Sequence, residues 1–192
     1  MKTADSSQRL ARIHQWMLML AVLTIAVTAQ AADAAARPHR QVVVSVPDRK
    51  LAVLQDGVVV RIFPVAVGAA ISPSPTGSFL IGNRVERPAF YRPGVVIPPG
   101  ADNPIGPRWI GLNREGYGIH GTNEPHSIGK AASHGCIRMR NRDVEQFYRM
   151  VRVGDEVEIR TDRDEQIAQI FGGKTPEMGL QASALTSAVG GQ

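Results

Sequence analysis

Runs of apolar residues, some continuous and some alternating with polar ones, predict a chain of short β-strands. Most runs are rich in Val, Ile, Leu or Phe and are separated by Gly, Pro, Asp or Asn. They lie at residues 41–46, 50–55, 58–68, 77–83, 108–112, 117–120 and 156–160. The Asp56-Gly57 pair between the second and third runs is typical of a tight hairpin turn. The pattern therefore favours a mainly β domain.

One amphipathic helix is predicted near residues 142–152, where the apolar spacing changes from two residues to three and four. Asn141 precedes it and is of a residue type that caps helix N-termini. The residues that share its apolar face are Val144, Phe147, Tyr148 and Val151. Residues 162–171 predict at most a further turn of helix at the domain edge. We therefore expect a curved β-sheet or sandwich with one flanking α-helix.

A proline-rich segment separates the strand candidates in the middle of the chain. Residues 86–107 contain six prolines and three glycines, a composition that argues against regular structure. Long ordered loops often carry binding or catalytic residues. We expect this segment to be a long loop that covers a functional site.

The N-terminus has the pattern of a secretory signal peptide. Lys2, Arg9 and Arg12 precede an almost unbroken apolar run at 16–27, and Ala29-Gln30-Ala31 has the small-residue spacing of a cleavage site. The apolar run has about 12 residues, fewer than the ~20 of a membrane-spanning helix. We predict a cleaved signal peptide at 1–32 and export to the periplasm or cell envelope. An uncleaved membrane anchor is the alternative.

The chain has 192 residues, which suits one domain rather than two. We assign 33–40 to a flexible lead-in, 41–161 to the domain and 162–192 to the edge turn and a disordered tail. The formal net charge of +5 is scattered, with no basic stripe or aromatic stacking motif, so nucleic acid is not an expected partner. A monomer is expected.

The lone cysteine is the first candidate for chemistry. Cys136 cannot form an internal disulfide, and an unpaired thiol in an exported protein is a chemical liability unless it has a use. Gly135 before it allows a sharp backbone bend that turns N–H groups toward an oxyanion. A nearby histidine would generate the reactive thiolate, and Arg138 would favour the negative sulfur.

Three histidines are candidates for the base. His120 ends an apolar strand and precedes Gly121, so a rigid element would hold the ring at a cleft. His134 is two residues from the thiol and lies on the same face only if Gly135 does not bend the chain. His126 lies in a polar loop. We favour His120, because base and nucleophile usually come from separate elements.

These residues resemble the catalytic motif of the YkuD-like L,D-transpeptidase family. In that motif His-Gly-Thr is followed, after a short loop, by Ser-His-Gly-Cys and Ile-Arg-Met or a close variant. Here the matching segments are His120-Gly121-Thr122 and Ser133-His134-Gly135-Cys136-Ile137-Arg138-Met139, with upstream similarity at Pro73-Ser74-Pro75-Thr76-Gly77 and Asp102-Asn103-Pro104-Ile105-Gly106. The resemblance covers nearly all of residues 41–160.

The resemblance implies a role for each matched residue. Cys136 would be the nucleophile and His120 the general acid/base, oriented by the backbone carbonyl of Gly121. The N–H groups of Gly135 and Cys136 would form the oxyanion hole. Ser133, His134 and Arg138 would shape the site and contact substrate.

The implied reaction is acyl transfer on peptidoglycan stem peptides, with a second stem peptide or a lipoprotein amine as acceptor. No cofactor and no metal are needed, because Cys and His supply the nucleophile and the proton transfer. An L,D-carboxypeptidase that uses water is the close alternative. Two further alternatives are a non-catalytic wall-binding domain and a zinc site, although the spacing of His120, His126, His134 and Cys136 fits no familiar zinc pattern.

Overall fold

The computed structural model describes residues 38–172 and consists of twelve short strands, two α-helices and one 3₁₀ turn at Pro125–Ser127. The strands are β1 Arg40–Ser45, β2 Lys50–Gln55, β3 Val58–Pro64, β4 Val67–Gly68, β5 Gly77–Glu86, β6 Phe90–Arg92, β7 Val95–Ile97, β8 Arg108–Leu112, β9 Gly118–His120, β10 Ala131–Ser133, β11 Ile137–Arg138 and β12 Glu156–Arg160. The helices are α1 Asn141–Met150 and α2 Glu165–Gly172. The predicted signal peptide, most of the lead-in and most of the predicted tail lie outside the described residues.

Eight strands form one curved sheet in the order β11-β9-β8-β5-β12-β1-β2-β3. Strands β10 and β4 form one further two-stranded sheet, and strands β6 and β7 form another. The predicted mainly β architecture with a curved sheet is therefore confirmed. Within residues 38–172, neither α-helix has the length and apolar character needed to cross a membrane.

Alternation along β1 and β2 separates two hydrophobic cores. Val42 and Val44 point into the main core, where α1 contributes Val144 and Phe147. The intervening Val43 points to the opposite face, as successive side chains of a strand must. Both faces of β1 and β2 are therefore apolar, and each face has to be covered by other parts of the chain.

The second helix covers the second face. α2 extends over eight residues rather than the single turn expected at the domain edge. Its buried residues Ile167, Ile170 and Phe171 pack against the outer side of β1 and β2. The sequence prediction undervalued this helix because the apolar partner face that stabilises it lies far away along the chain.

The proline-rich segment is more ordered than predicted, because β6 and β7 form an antiparallel hairpin within it. Asn103 holds the ends of this hairpin to the following loop. It is 1% exposed, its Nδ2 donates to the carbonyls of Pro88, Ile97 and Pro98, and its Oδ1 accepts the N–H of Ile105. One side-chain amide thus supplies bonds in a segment where six prolines lack N–H groups.

The start of α1 also differs from the prediction. Asn141 is the first helical residue, Arg140 occupies the capping position, and no side chain caps the helix. The Asn141 amide oxygen instead accepts the backbone N–H of Thr122 at 2.8 Å. The predicted capping role of Asn141 is therefore wrong, since a long-range bond competes for the same oxygen atom.

Truncation of Phe147 should expose how much the main core depends on α1. This side chain is fully buried and meets Phe63 edge to face, with ring centroids 6.2 Å apart. We expect Phe147→Ala to lower the free energy of unfolding by about 3–5 kcal/mol, measured by chemical denaturation. Val153→Ala, at a 60% exposed position, should change it by less than about 0.5 kcal/mol. Equal effects of the two substitutions would contradict the assignment of Phe147 to the core.

Candidate active site

A cavity of about 940 Å³ lies between the proline-rich segment and the ends of β8, β9 and β11. The β6–β7 hairpin forms one wall, and the residues predicted to carry chemistry form the other. Its lining includes Phe90, Tyr91, Trp109, His120, Cys136 and Arg138. The expected position of the site under the proline-rich segment agrees with this arrangement.

Cys136 and His120 reach the cavity from neighbouring strands. Cys136 directly precedes β11, and His120 is the last residue of β9. The two strands run parallel, with Ile137 opposite Ile119 and Arg138 opposite His120. The Cys136 thiol donates a weak hydrogen bond to the carbonyl of Gly116, with 3.5 Å between sulfur and oxygen. The structure therefore brings the predicted nucleophile and base to one side of one cavity.

Ser133 shapes the turn that carries the thiol. Its hydroxyl accepts the N–H of Gly135 at 3.1 Å and donates to the carbonyl of Cys136. This serine is 2% exposed, and both hydrogen bonds of its hydroxyl are made within the turn itself. The Gly135 N–H, predicted to belong to an oxyanion hole with that of Cys136, is directed to Ser133 in this structure.

Gly135 is required at its position for two reasons. Its φ of +109° lies in a region that side-chain-bearing residues rarely adopt. A Cβ atom there would also lie 2.8 Å from Cε1 of Tyr117, which is too close. The sharp bend inferred from the sequence is present, and it separates His134 from the buried side of the turn: His134 is exposed at the cavity rim.

The imidazole of His120 is held on two sides. Its Nδ1 lies 2.6 Å from the carbonyl oxygen of Gly121, and because a carbonyl only accepts, Nδ1 carries the proton. Nε2 of the neutral ring is then the acceptor. Trp109, the cross-strand neighbour of His120, stacks on the ring with centroids 5.6 Å apart and planes inclined by 20°.

Arg138 lines the cavity beside this pair. Its guanidinium forms an ion pair with Glu124 at 2.6 Å, and its side chain is 14% exposed, against 65% for Glu124. The backbone of Arg138 also exchanges two hydrogen bonds with Ala66. The backbone of Arg138 is therefore held in place by Ala66, and its guanidinium is paired with Glu124, which an incoming anion would have to displace.

The four residues of the zinc alternative do not form a metal-binding cluster, although His120, His134 and Cys136 line the same cavity. Among residues 38–172, no group of three or more His, Cys, Asp or Glu side chains is arranged to hold a metal ion. His126 lies in the 3₁₀ turn and is exposed.

Comparison with known proteins identifies the family. The family model described as the YkuD L,D-transpeptidase catalytic domain matches residues 39–159. The chain belongs to this family. It is 40% identical over 122 residues to a protein of Bacillus licheniformis named putative L,D-transpeptidase YkuD, with 64% of this chain and 66% of the relative aligned. The match thus spans just under two thirds of that relative's length.

Solved structures show the same fold. An L,D-transpeptidase from Mycobacterium smegmatis aligns with a TM-score of 0.55 at 22% identity, over 65% of this chain and 59% of that one. L,D-transpeptidase 3 from Mycobacterium tuberculosis, solved in complex with a faropenem-derived adduct, aligns with a TM-score of 0.53 at 23% identity, over 64% and 60% of the two chains. The family assignment and the fold thus agree.

Burial governs the protonation of the pair. It lowers the pKa of His120 from 6.5 to about 4, opposed by the Gly121 carbonyl and assisted by the positive charge of Arg138. Burial raises the pKa of the Cys136 thiol, although the backbone amide of Gly118 and the charge of Arg138 act in the opposite direction. The sequence led us to expect an ionised sulfur. The structure favours a neutral thiol beside a neutral imidazole, because desolvation outweighs the opposing effect of the Gly121 carbonyl on His120 and those of Gly118 and Arg138 on the thiol.

Two contributors to the site escaped the sequence prediction. Trp109 was recognised only as part of a strand, and its place opposite His120 depends on strand register. Glu124 lies in a polar loop and gave no signal of its own. A strand over residues 108–112 places Trp109 on one face of the sheet, but it does not tell which residue on the neighbouring strand Trp109 contacts.

The lowered pKa of His120 predicts a pH-dependent stability. Between pH 6.5 and about 4 an unfolded chain carries a proton on this histidine while the folded chain does not, so acid favours unfolding. The contribution is complete above pH 6.5 and is lost as the pH falls to about 4. The shift corresponds to about 3 kcal/mol. As the pH falls from 6.5 to about 4, the unfolding free energy of wild type minus that of His120→Gln should therefore decrease by about 3 kcal/mol. A difference that stays the same at every pH would contradict this prediction.

Proposed function

We propose that this chain is an L,D-transpeptidase that uses Cys136 as nucleophile and His120 as general acid/base. The observation that carries the proposal is the orientation of His120: its Nδ1–H is bonded to Gly121, so Nε2 is the acceptor in a cavity that also contains the thiol. Family membership supports the class of reaction. The matched motif supplies the residue roles.

The first half of the reaction is acylation. As the sulfur of Cys136 attacks the carbonyl between the L-configured centre of diaminopimelate and D-Ala, Nε2 of His120 takes the thiol proton. The C–N bond then breaks, and the imidazolium returns that proton to the leaving amine of D-Ala. A thioester remains on Cys136. Because both groups start neutral, the proton moves during attack rather than beforehand.

The second half transfers the acyl group. An acceptor amine attacks the thioester carbonyl and gives its proton to His120. The C–S bond breaks, and the sulfur regains the proton from the imidazolium, which restores the resting site. A second stem peptide or a lipoprotein lysine would supply the amine. We assign the Cys136 N–H to the oxyanion and Arg138 to a substrate carboxylate, which would replace Glu124 as its partner.

Intact-protein mass spectrometry tests the acylation step. With a tetrapeptide donor, the mass of the wild-type chain should increase by the mass of the donor less that of D-Ala. With a carbapenem it should increase by the whole mass of the carbapenem, because opening of the β-lactam ring expels no leaving group. Cys136→Ala should form no adduct. His120→Gln should acylate about 10²–10⁴-fold more slowly. His126→Gln, which removes an exposed imidazole outside the cavity, should react like wild type.

Two outcomes would contradict parts of the proposal. An adduct on Cys136→Ala, or none on wild type, would overturn Cys136 as nucleophile, and the latter would favour a wall-binding domain.

Product analysis with and without a stem-peptide amine distinguishes the transpeptidase reaction from the L,D-carboxypeptidase reaction. A cross-linked dimer is expected with the amine. Hydrolysed tripeptide alone, even with amine in excess, would assign an L,D-carboxypeptidase.

We also propose that the chain acts in the cell envelope, to which residues 1–32 direct it. The basic segment, the apolar run and the small-residue site support this proposal. Fractionation of cells that produce the full chain should recover it from the periplasm or envelope, with a new N-terminus near residue 33 by mass spectrometry. Full-length chain retained in the membrane fraction would favour an uncleaved anchor, and chain confined to the cytoplasm would contradict export.

A further inference from the structure

The peptide unit between Gly121 and Thr122 is bonded at both of its polar ends. Its carbonyl oxygen, which belongs to Gly121, accepts the Nδ1–H of His120 at 2.6 Å. Its N–H group, which belongs to Thr122, donates to Oδ1 of Asn141 at 2.8 Å. A trans peptide is planar, with its N–H and C=O pointing in opposite directions. The orientation of one bond therefore sets that of the other.

The amide oxygen of Asn141 fits closely against the backbone it bonds. A Cβ atom placed on Gly106 or on Gly121 would lie 2.5 Å from this oxygen in each case. Two glycines are thus needed for the asparagine to approach the peptide unit. Such a close fit leaves little room for the peptide to rotate.

The asparagine is itself anchored. It begins α1, whose buried residues Val144 and Phe147 belong to the main core. Two residues before it, the N–H of Met139 donates to the carbonyl of His120 at 2.8 Å. The segment that ends β11 and starts α1 therefore holds the segment around His120 at two points.

We propose that Asn141 is a positioning residue for the catalytic histidine, and this inference rests on the function proposed above. In a serine-protease triad a carboxylate orients the histidine. Here a neutral peptide carbonyl does so, and Asn141 fixes that carbonyl from behind. By accepting the Thr122 N–H, Asn141 also polarises the peptide unit and strengthens the carbonyl as an acceptor. The bond chain thus keeps the proton on Nδ1 and leaves Nε2 to accept the thiol proton.

The choice of residue type agrees with this role. Asn is favoured at helix ends because its side chain usually caps the helix, but the cap position belongs to Arg140 and no side chain caps α1. Asn141 therefore does not serve its own helix in that way. Its amide oxygen instead accepts the N–H of Thr122, in the peptide unit between Gly121 and Thr122.

The test compares Asn141→Ala with Asn141→Asp. The alanine variant loses the acceptor, whereas the aspartate variant keeps an oxygen at the same distance along the side chain. Gln146→Ala is the matched control, because it removes from the same helix an amide oxygen that accepts one hydrogen bond, from Arg61. Carbapenem acylation of Cys136 is followed as a function of carbapenem concentration. The ring nitrogens of His120 are followed by ¹⁵N NMR of the free protein.

For Asn141→Ala we expect the saturating acylation rate to fall about ten- to hundredfold, similar to the loss of activity when the partner that orients a metal-ligating histidine is removed. The half-saturating carbapenem concentration should stay the same, because binding contacts are unchanged. NMR should show a mixture of His120 tautomers in place of the single Nδ1–H form. Asn141→Asp should recover most of the rate and the single tautomer, and Gln146→Ala should match wild type.

Several results would overturn the inference. A wild-type rate and a single tautomer in Asn141→Ala would do so, as would an equal loss in Asn141→Asp and Asn141→Ala. If Asn141→Ala does not fold, Asn141→Ser, whose hydroxyl is too short to reach the amide, must show the same rate loss and tautomer mixture. The NMR measurement does not depend on turnover. If wild type fails to acylate, the proposed function fails, whereas an unaltered tautomer in an active enzyme fails this inference alone.

Discussion

The parallel contact between β9 and β11 is the constraint on which the site depends. It has only two residue pairs, Ile119 with Ile137 and His120 with Arg138. A slip of one residue would turn the His120 side chain to the other face of the sheet. So short a ladder needs support, and it receives it from the bonds of Arg138 to Ala66 and of Met139 to His120. The register of β9 and β11 therefore sets how the proposed nucleophile, Cys136, lies relative to the proposed base, His120.

Burial then decides the charge state of that pair. The cavity wall removes water from both groups, so the uncharged forms of thiol and imidazole are favoured. A neutral thiol reacts slowly with oxidants, because susceptibility follows thiolate character. A lone cysteine in the proposed envelope location can therefore resist oxidation while no substrate is bound and still be activated when it attacks one. The positive charge of Arg138 opposes burial at the thiol but acts in the same direction as burial at the imidazole.

Much of the fold was predictable because neighbouring residues along the chain determine it. The strands follow from β-branched runs, the first hairpin from Asp56-Gly57, and α1 from its apolar spacing. The proline-rich segment was different. Its hairpin depends on Asn103, which bonds carbonyls on both sides of that hairpin. No local pattern distinguishes such an asparagine from one in an ordinary turn. The eight-residue α2 was undervalued for a related reason, since its stability comes from Val43 and its neighbours on distant strands.

The sequence by itself determined the chemical groups: a lone thiol, a histidine at a strand end, a glycine whose missing side chain permits the bend, and the motif that relates them. These depend on residue type and spacing, which the chain carries directly. Only the tertiary structure decided that Trp109 stacks on His120, that burial keeps the pair neutral, and that the Asn141 amide serves Thr122 instead of its own helix. Each of these depends on strand register or on exclusion of water, and both arise only when segments distant in the chain pack together.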